Sequence, residues 1–166
     1  MAPGNALGTP MPLVPEVVFH STGTPGYSAA VQGHPGAIPA RKRERIVQAR
    51  FAAQDCLVHT PEGDVYARAG DAIVTGSAGE VWPVPLRSFE NAYRPVSPTV
   101  MGMAGAYRCL PNPVLAVRMD RTFAVVLADG RSQLAGGAGD WMVDYGDGTL
   151  GAIADAIFLT TYETQP

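Results

Sequence analysis

The sequence predicts a mainly β protein of the α+β class, built as two pseudo-symmetric, small, partly open β-barrel units, each with one short helix. Three observations lead there. At a fixed offset of 69, Ala69, Gly70, Asp71, Val74, Gly79, Phe89 and Tyr93 meet Ala138, Gly139, Asp140, Val143, Gly148, Phe158 and Tyr162 without a gap. Upstream, at an offset of 67, Arg41, Val47, Ala49, Val58 and Gly63 meet Arg108, Val114, Ala116, Val125 and Gly130. Such self-similarity fixes the domain plan before any single residue is interpreted. The chain also carries 19 glycines and 15 prolines, which break helices and favour short strands joined by turns.

The organisation that follows is an irregular Pro/Gly-rich leader over 1–37, a first unit over 38–97, a linker over 98–106 and a second unit over 107–166. Within the leader, 13–19 is apolar enough to lie across the core as an edge strand, despite Pro15. Each unit then offers the same elements in order. First strands fall at 46–52 and 114–117, second strands at 55–60 and 122–127, and a short third strand at 65–68. Fourth strands at 71–75 and 140–144 and fifth strands at 80–84 and 149–153 flank the turns Gly76-Ser77-Ala78-Gly79 and Tyr145-Gly146-Asp147-Gly148. A short helix follows at 86–93 and 155–162. Phe89 and Tyr93 are four apart, as are Phe158 and Tyr162, so each pair shares a helix face and points inward as a plug on the strands.

Composition excludes several function classes. A net charge of -3 with 16% charged residues is not that of a chain neutralising many phosphates. No apolar run reaches the length of a membrane span, and no basic-then-apolar leader signals export. Cys56 and Cys109 sit at unrelated positions of the repeat, so a cytoplasmic, reducing setting is the default expectation, with their pairing open.

One composite pattern stands out: Arg41-Lys42-Arg43, Val47-Gln48-Ala49, Gly70-Asp71-Ala72-Ile73-Val74, Gly79-Glu80-Val81-Trp82-Pro83-Val84, Phe89 and Tyr93. It resembles the PGDYG-type domain of uncharacterised bacterial and phage proteins. The second unit is similar to a more divergent copy, through Tyr107-Arg108, Gly139-Asp140-Trp141-Met142-Val143 and Thr160-Thr161-Tyr162-Glu163. The proline expected before Gly-Asp is Ala69 in one copy and Ala138 in the other. The resemblance implies a domain boundary and carries no catalytic residues.

Candidate chemistry is sparse. Asp71 and Asp140 invite reading as paired carboxylates at the seam between copies, against the simpler reading that each fixes a turn through backbone N–H groups. Trp82, Trp141 and Tyr145 complete the candidate ligand set, against the simpler reading that they fill the core. Arg41, Lys42, Arg43 and Arg45 form the basic cluster and a candidate nucleic-acid contact, which the acidic balance and the lack of interleaved aromatics argue against. His20, His34 and His59 make no metal-ligand spacing, and no nucleophile signature is present, so no metal, cofactor or catalytic residue is expected. The expected function is a non-catalytic binding or interaction module, with a protein or small-molecule partner and its site at the seam. The alternatives are a small-molecule enzyme using Asp71 and Asp140, and weak nucleic-acid binding through 41–45.

Overall fold

Side-chain alternation decides where each strand sits in the computed structural model, which describes residues 14–165. In β3 (Arg45–Phe51), Val47 and Ala49 are buried while Gln48 and Arg50 face out. The corresponding strand β10 (Pro113–Arg118) buries Val114 and Ala116. β3 pairs antiparallel with β6 (Ala72–Thr75), which returns through a hairpin as β7 (Val81–Val84). β10 pairs likewise with β13 (Trp141–Asp144), which returns as β14 (Leu150–Ile153). Helices α2 (Leu86–Ala92) and α3 (Asp155–Thr161) follow, and each ends in a short strand, β8 (Tyr93–Pro95) or β15 (Tyr162–Thr164). These elements match the sequence expectation closely, because apolar alternation and the aromatic i,i+4 pairs are local signals.

The strands that complete the two sheets cross between the halves. β2 (Ile38–Lys42) lies between β10 and β15, whereas β9 (Gly105–Cys109) lies between β3 and β8. The sheets therefore run β7-β6-β3-β9-β8 and β14-β13-β10-β2-β15, two versions of one plan. Arg41 of β2 and Arg108 of β9 stand at the sequence offset of 67. The strand preceding β3 thus serves the second sheet, and the strand preceding β10 serves the first, a reciprocal exchange. Residues 105–106, read from sequence as linker, belong to β9. No closed barrel is found among the described residues; the strands form four sheets.

Packing in the two sheets is complementary rather than identical. One core holds Val47, Ala49, Ala72, Val74, Phe89, Tyr93, Tyr107 and Cys109. The other holds Ala40, Val114, Ala116, Trp141, Val143, Phe158 and Tyr162. Where the first has small Ala72 on β6 and large Tyr107 on β9, the second has large Trp141 on β13 and small Ala40 on β2. The bulk has changed strands while the filled volume is kept, which is how cores tolerate substitution. The helix aromatics form the expected plugs: Phe89 stacks on Tyr93 with centroids 4.6 Å apart, and Phe158 on Tyr162 at 4.9 Å.

Two smaller sheets close the structure. β4 (Cys56–Thr60) and β5 (Gly63–Ala67) form one hairpin, and β11 (Phe123–Val126) pairs with β12 (Gln133–Gly136). Part of the leader joins the latter, as β1 (Val17–His20) runs parallel to β11 as its edge strand and overlaps the segment 13–19 expected to form one. The leader is less irregular than its composition suggests: helix α1 (Ala29–Gln32) buries Val31, and buried Asp144 accepts the Ser28 N–H at 2.7 Å. Residues 1–13 lie outside the described part.

The hairpins dock on each other. Ala135 N–H donates to the Glu62 carbonyl at 2.9 Å, and Tyr66 N–H donates to Ser132 Oγ at 3.0 Å. Gly63 makes this approach possible: its φ is +145°, and a Cβ there would lie 2.6 Å from the Gln133 carbonyl oxygen. Gly63→Ala is expected to lower stability by about 1–3 kcal/mol, through backbone strain and a clash with backbone that cannot swing away. Gly79→Ala, at φ +81° with open space around the added carbon, serves as comparison in urea denaturation. Equal losses in the two variants would mean the hairpin contact is not tight.

Candidate functional site

The exchange and the hairpin docking leave a partly open cleft of about 890 Å³ between the halves, within the range typical of small-molecule sites. Both halves line it. The exchanged strands contribute Lys42 and Cys109, the hairpins contribute Glu62 and Leu134, and the edge strands β7 and β14 run along it with Trp82 and Ala152. The helix aromatic pairs present Tyr93 and Tyr162, and the β13–β14 turn presents Tyr145. The leader reaches the rim through Ser21, Gly26 and Tyr27.

Lys42 is the least conventional group in the cleft. Strand alternation turns it away from its exposed neighbours Arg41 and Arg43. Its ammonium donates to the Tyr93 hydroxyl at 3.2 Å and stands 5.5 Å from the ring centroids of both Trp82 and Tyr93, a cation–π arrangement. Burial disfavours its charge, but the neighbouring Tyr93, Cys109 and Tyr145 groups outweigh that and hold its pKa above the ordinary lysine value. Burial also raises the pKa values of Tyr93, Tyr145 and Tyr162, so these hydroxyls remain protonated at neutral pH.

The basic cluster thus disperses. Arg43 makes an exposed ion pair with Glu163 at 3.4 Å, Arg41 faces solvent, and Lys42 and Arg45 line the cleft. Of the candidate ligand residues, Asp71, Trp82 and Tyr145 line the cleft, whereas Asp140 and Trp141 do not. Trp141 is buried, stacks on Phe158 at 3.9 Å and donates its indole N–H to Asp155 at 2.8 Å, so it is a core residue. Asp71 and Asp140 play one role twice. Asp71 accepts the N–H groups of Arg68 at 2.9 Å and of Leu86, the first residue of α2, at 3.0 Å. Asp140 accepts those of Gly137 at 3.0 Å and of Asp155, the first residue of α3, at 3.2 Å. Each aspartate ties its turn to the start of the helix that follows, which explains why both halves need it.

Sequence reasoning missed Tyr93, Tyr162, Cys109, Glu62 and Thr161 as cleft residues. The matched aromatic pairs pointed to Tyr93 and Tyr162, though only as core. Cys56 and Cys109 are both free thiols. Among the described residues no group of His, Cys, Asp and Glu is arranged to hold a metal ion, and no helix is long and apolar enough to cross a membrane.

Glu62 is a cleft carboxyl that titrates near neutrality. Burial, reinforced by Asp140 and Glu80, lifts its pKa from the ordinary 4.5 to about 7. The folded state therefore binds this proton more tightly than the unfolded chain. Its contribution to stability is retained below the unfolded value and lost as pH rises from 4.5 through about 7. Glu62→Gln is expected to remove that loss, so the variant gains on wild type as pH rises from about 5 to about 8. Urea denaturation at several pH values measures it; a constant difference across the range would rule out a raised Glu62 pKa.

Comparison with known proteins finds one family: the model described as PGDYG protein matches residues 63–163 in a single span, from β5 to β15. No curated protein and no solved structure matches the chain. The family match covers well over half of the chain, through both Gly-Asp steps and the helix aromatics, and the chain belongs to the PGDYG protein family.

Proposed function

We propose that this protein is a non-catalytic binding module, assembled from two divergent copies of one PGDYG-like unit, whose ligand is a small molecule held in the cleft at the seam. The observation that carries this reading is the cleft itself: about 890 Å³, lined by side chains of both halves, with a mostly apolar and aromatic surface among which charged and polar groups are interspersed. That combination is the usual signature of a small-molecule site. The half-buried faces of Trp82 and Tyr145 supply flat apolar surface.

The two-copy reading draws on the equivalent strand orders of the large sheets and on the sequence offsets. Each half is then a partly open barrel-like unit whose missing strand comes from the other. The two free thiols suit a reducing compartment such as the cytoplasm. An enzyme built on Asp71 and Asp140 draws little support, because both carboxylates are engaged with backbone N–H groups and only Asp71 lines the cleft. Nucleic-acid binding through 41–45 draws little support either, because those residues face different directions.

Thermal-shift screening with small aromatic compounds is expected to give ligands that raise the melting temperature and change the fluorescence of Trp82. Trp82→Ala is expected to weaken such a ligand by about 1–3 kcal/mol, read by calorimetry. Hits that bind Trp82→Ala and Tyr145→Ala as tightly as wild type would place the site elsewhere. Turnover of a hit would remove the non-catalytic reading.

A further inference from the structure

Lys42 has no acidic partner. Among the described residues, neither it nor Arg45 takes part in any ion pair within 4 Å. Arg45 lines the same cleft, and its Nε is buried without a hydrogen-bond partner. Thr161, another cleft residue, is only 4% exposed, and its Oγ1 is likewise buried and unpartnered. A native structure keeps very few such groups without a reason. A cation removed from water without a counter-charge is costly. The chain nonetheless places Lys42 there on the exchanged strand, against rings and hydroxyls instead of a carboxylate. No carboxylate on the cleft wall, Glu62 and Glu80 included, lies within ion-pair distance of Lys42. Asp71, Asp129 and Asp147 accept local backbone N–H groups.

Resting on the reading of the cleft as a ligand site, we propose that its ligand is an anion: a carboxylate or phosphate group on a flat apolar body, with the Lys42 ammonium as charge partner. The Tyr93 hydroxyl, already bonded to Lys42, orients the ammonium, and the Trp82 ring gives the apolar body a surface to stack on. The anion supplies the counter-charge that the protein withholds, so binding recovers electrostatic energy that folding alone leaves unused. Lys42 acts here as a charge partner, its ammonium held against the Tyr93 hydroxyl and the Trp82 ring.

The test uses three matched probes with one aromatic body: naphthalene-2-carboxylate, 2-naphthyl phosphate and the neutral 2-naphthylmethanol. Each is titrated calorimetrically into the full chain at low salt and neutral pH. At least one anion is expected to bind roughly tenfold or more tightly than the alcohol, as a charge-assisted bond would give. Whichever anion binds better identifies the head group. Lys42→Met is expected to reduce anion affinity to that of the alcohol and leave the alcohol unchanged, whereas Lys42→Arg keeps the preference. Equal binding of anions and alcohol by wild type would overturn the anion proposal and leave the cleft reading standing, as would a Lys42→Met variant that retains the preference. Absence of binding by all three probes would overturn both. If Lys42→Met fails to fold, the wild-type contrast and Lys42→Arg decide.

Discussion

The reciprocal exchange of β2 and β9 is the constraint on which the rest of the structure depends. Each large sheet contains an interior strand from the other half of the chain, with its backbone N–H and C=O groups paired on both sides. Withdrawing either strand would split a five-stranded sheet and leave two rows of buried polar groups without partners, a cost far beyond that of a lost side-chain contact. The two halves therefore hold each other in place without needing a broad apolar interface. This suits units too small to bury much core alone.

The exchange also explains the character of the cleft. A strand that crosses from one half to the other carries its inward-facing side chain to the seam. Lys42 of β2 and Cys109 of β9 occupy corresponding positions, each directly opposite a helix-end tyrosine, Tyr162 or Tyr93. Two related surfaces thus meet with different chemistry, an ammonium on one and a thiol on the other. Elsewhere the halves stay alike where folding demands it, as in the aspartates that secure α2 and α3. They differ where compensation is possible, as in the trade of Tyr107 and Ala72 for Ala40 and Trp141.

Much of the fold was legible in the sequence. Strands β3 to β7, β10, β11, β13 and β14 and both longer helices showed themselves through alternation, turn residues and the paired aromatics, all of which act within a few residues, whereas β12 did not. The same locality hid the rest. Trp141 was a reasonable ligand candidate until its stacking partner Phe158 was visible, and Arg41, Lys42, Arg43 and Arg45 read as one basic surface until pleating sent them to different faces. The short strands β8, β9 and β15 bury Tyr93, Tyr107 and Tyr162 but are too brief to show a full alternation, so their pairing comes from the sheet they complete.

The sequence by itself determined most of the strands, the turns and many of the side chains that face a core, because glycine, aspartate and apolar periodicity act on the nearby backbone. Only the tertiary structure decided which half each first strand would serve. That choice depends on pairing between strands far apart in the chain, such as Arg45 with Cys109 and Arg41 with Pro113, and it placed Lys42 in a shared cleft instead of on an exposed basic edge. Backbone hydrogen bonds are the same whichever strand supplies them, so strand choice leaves no local mark in the residues themselves.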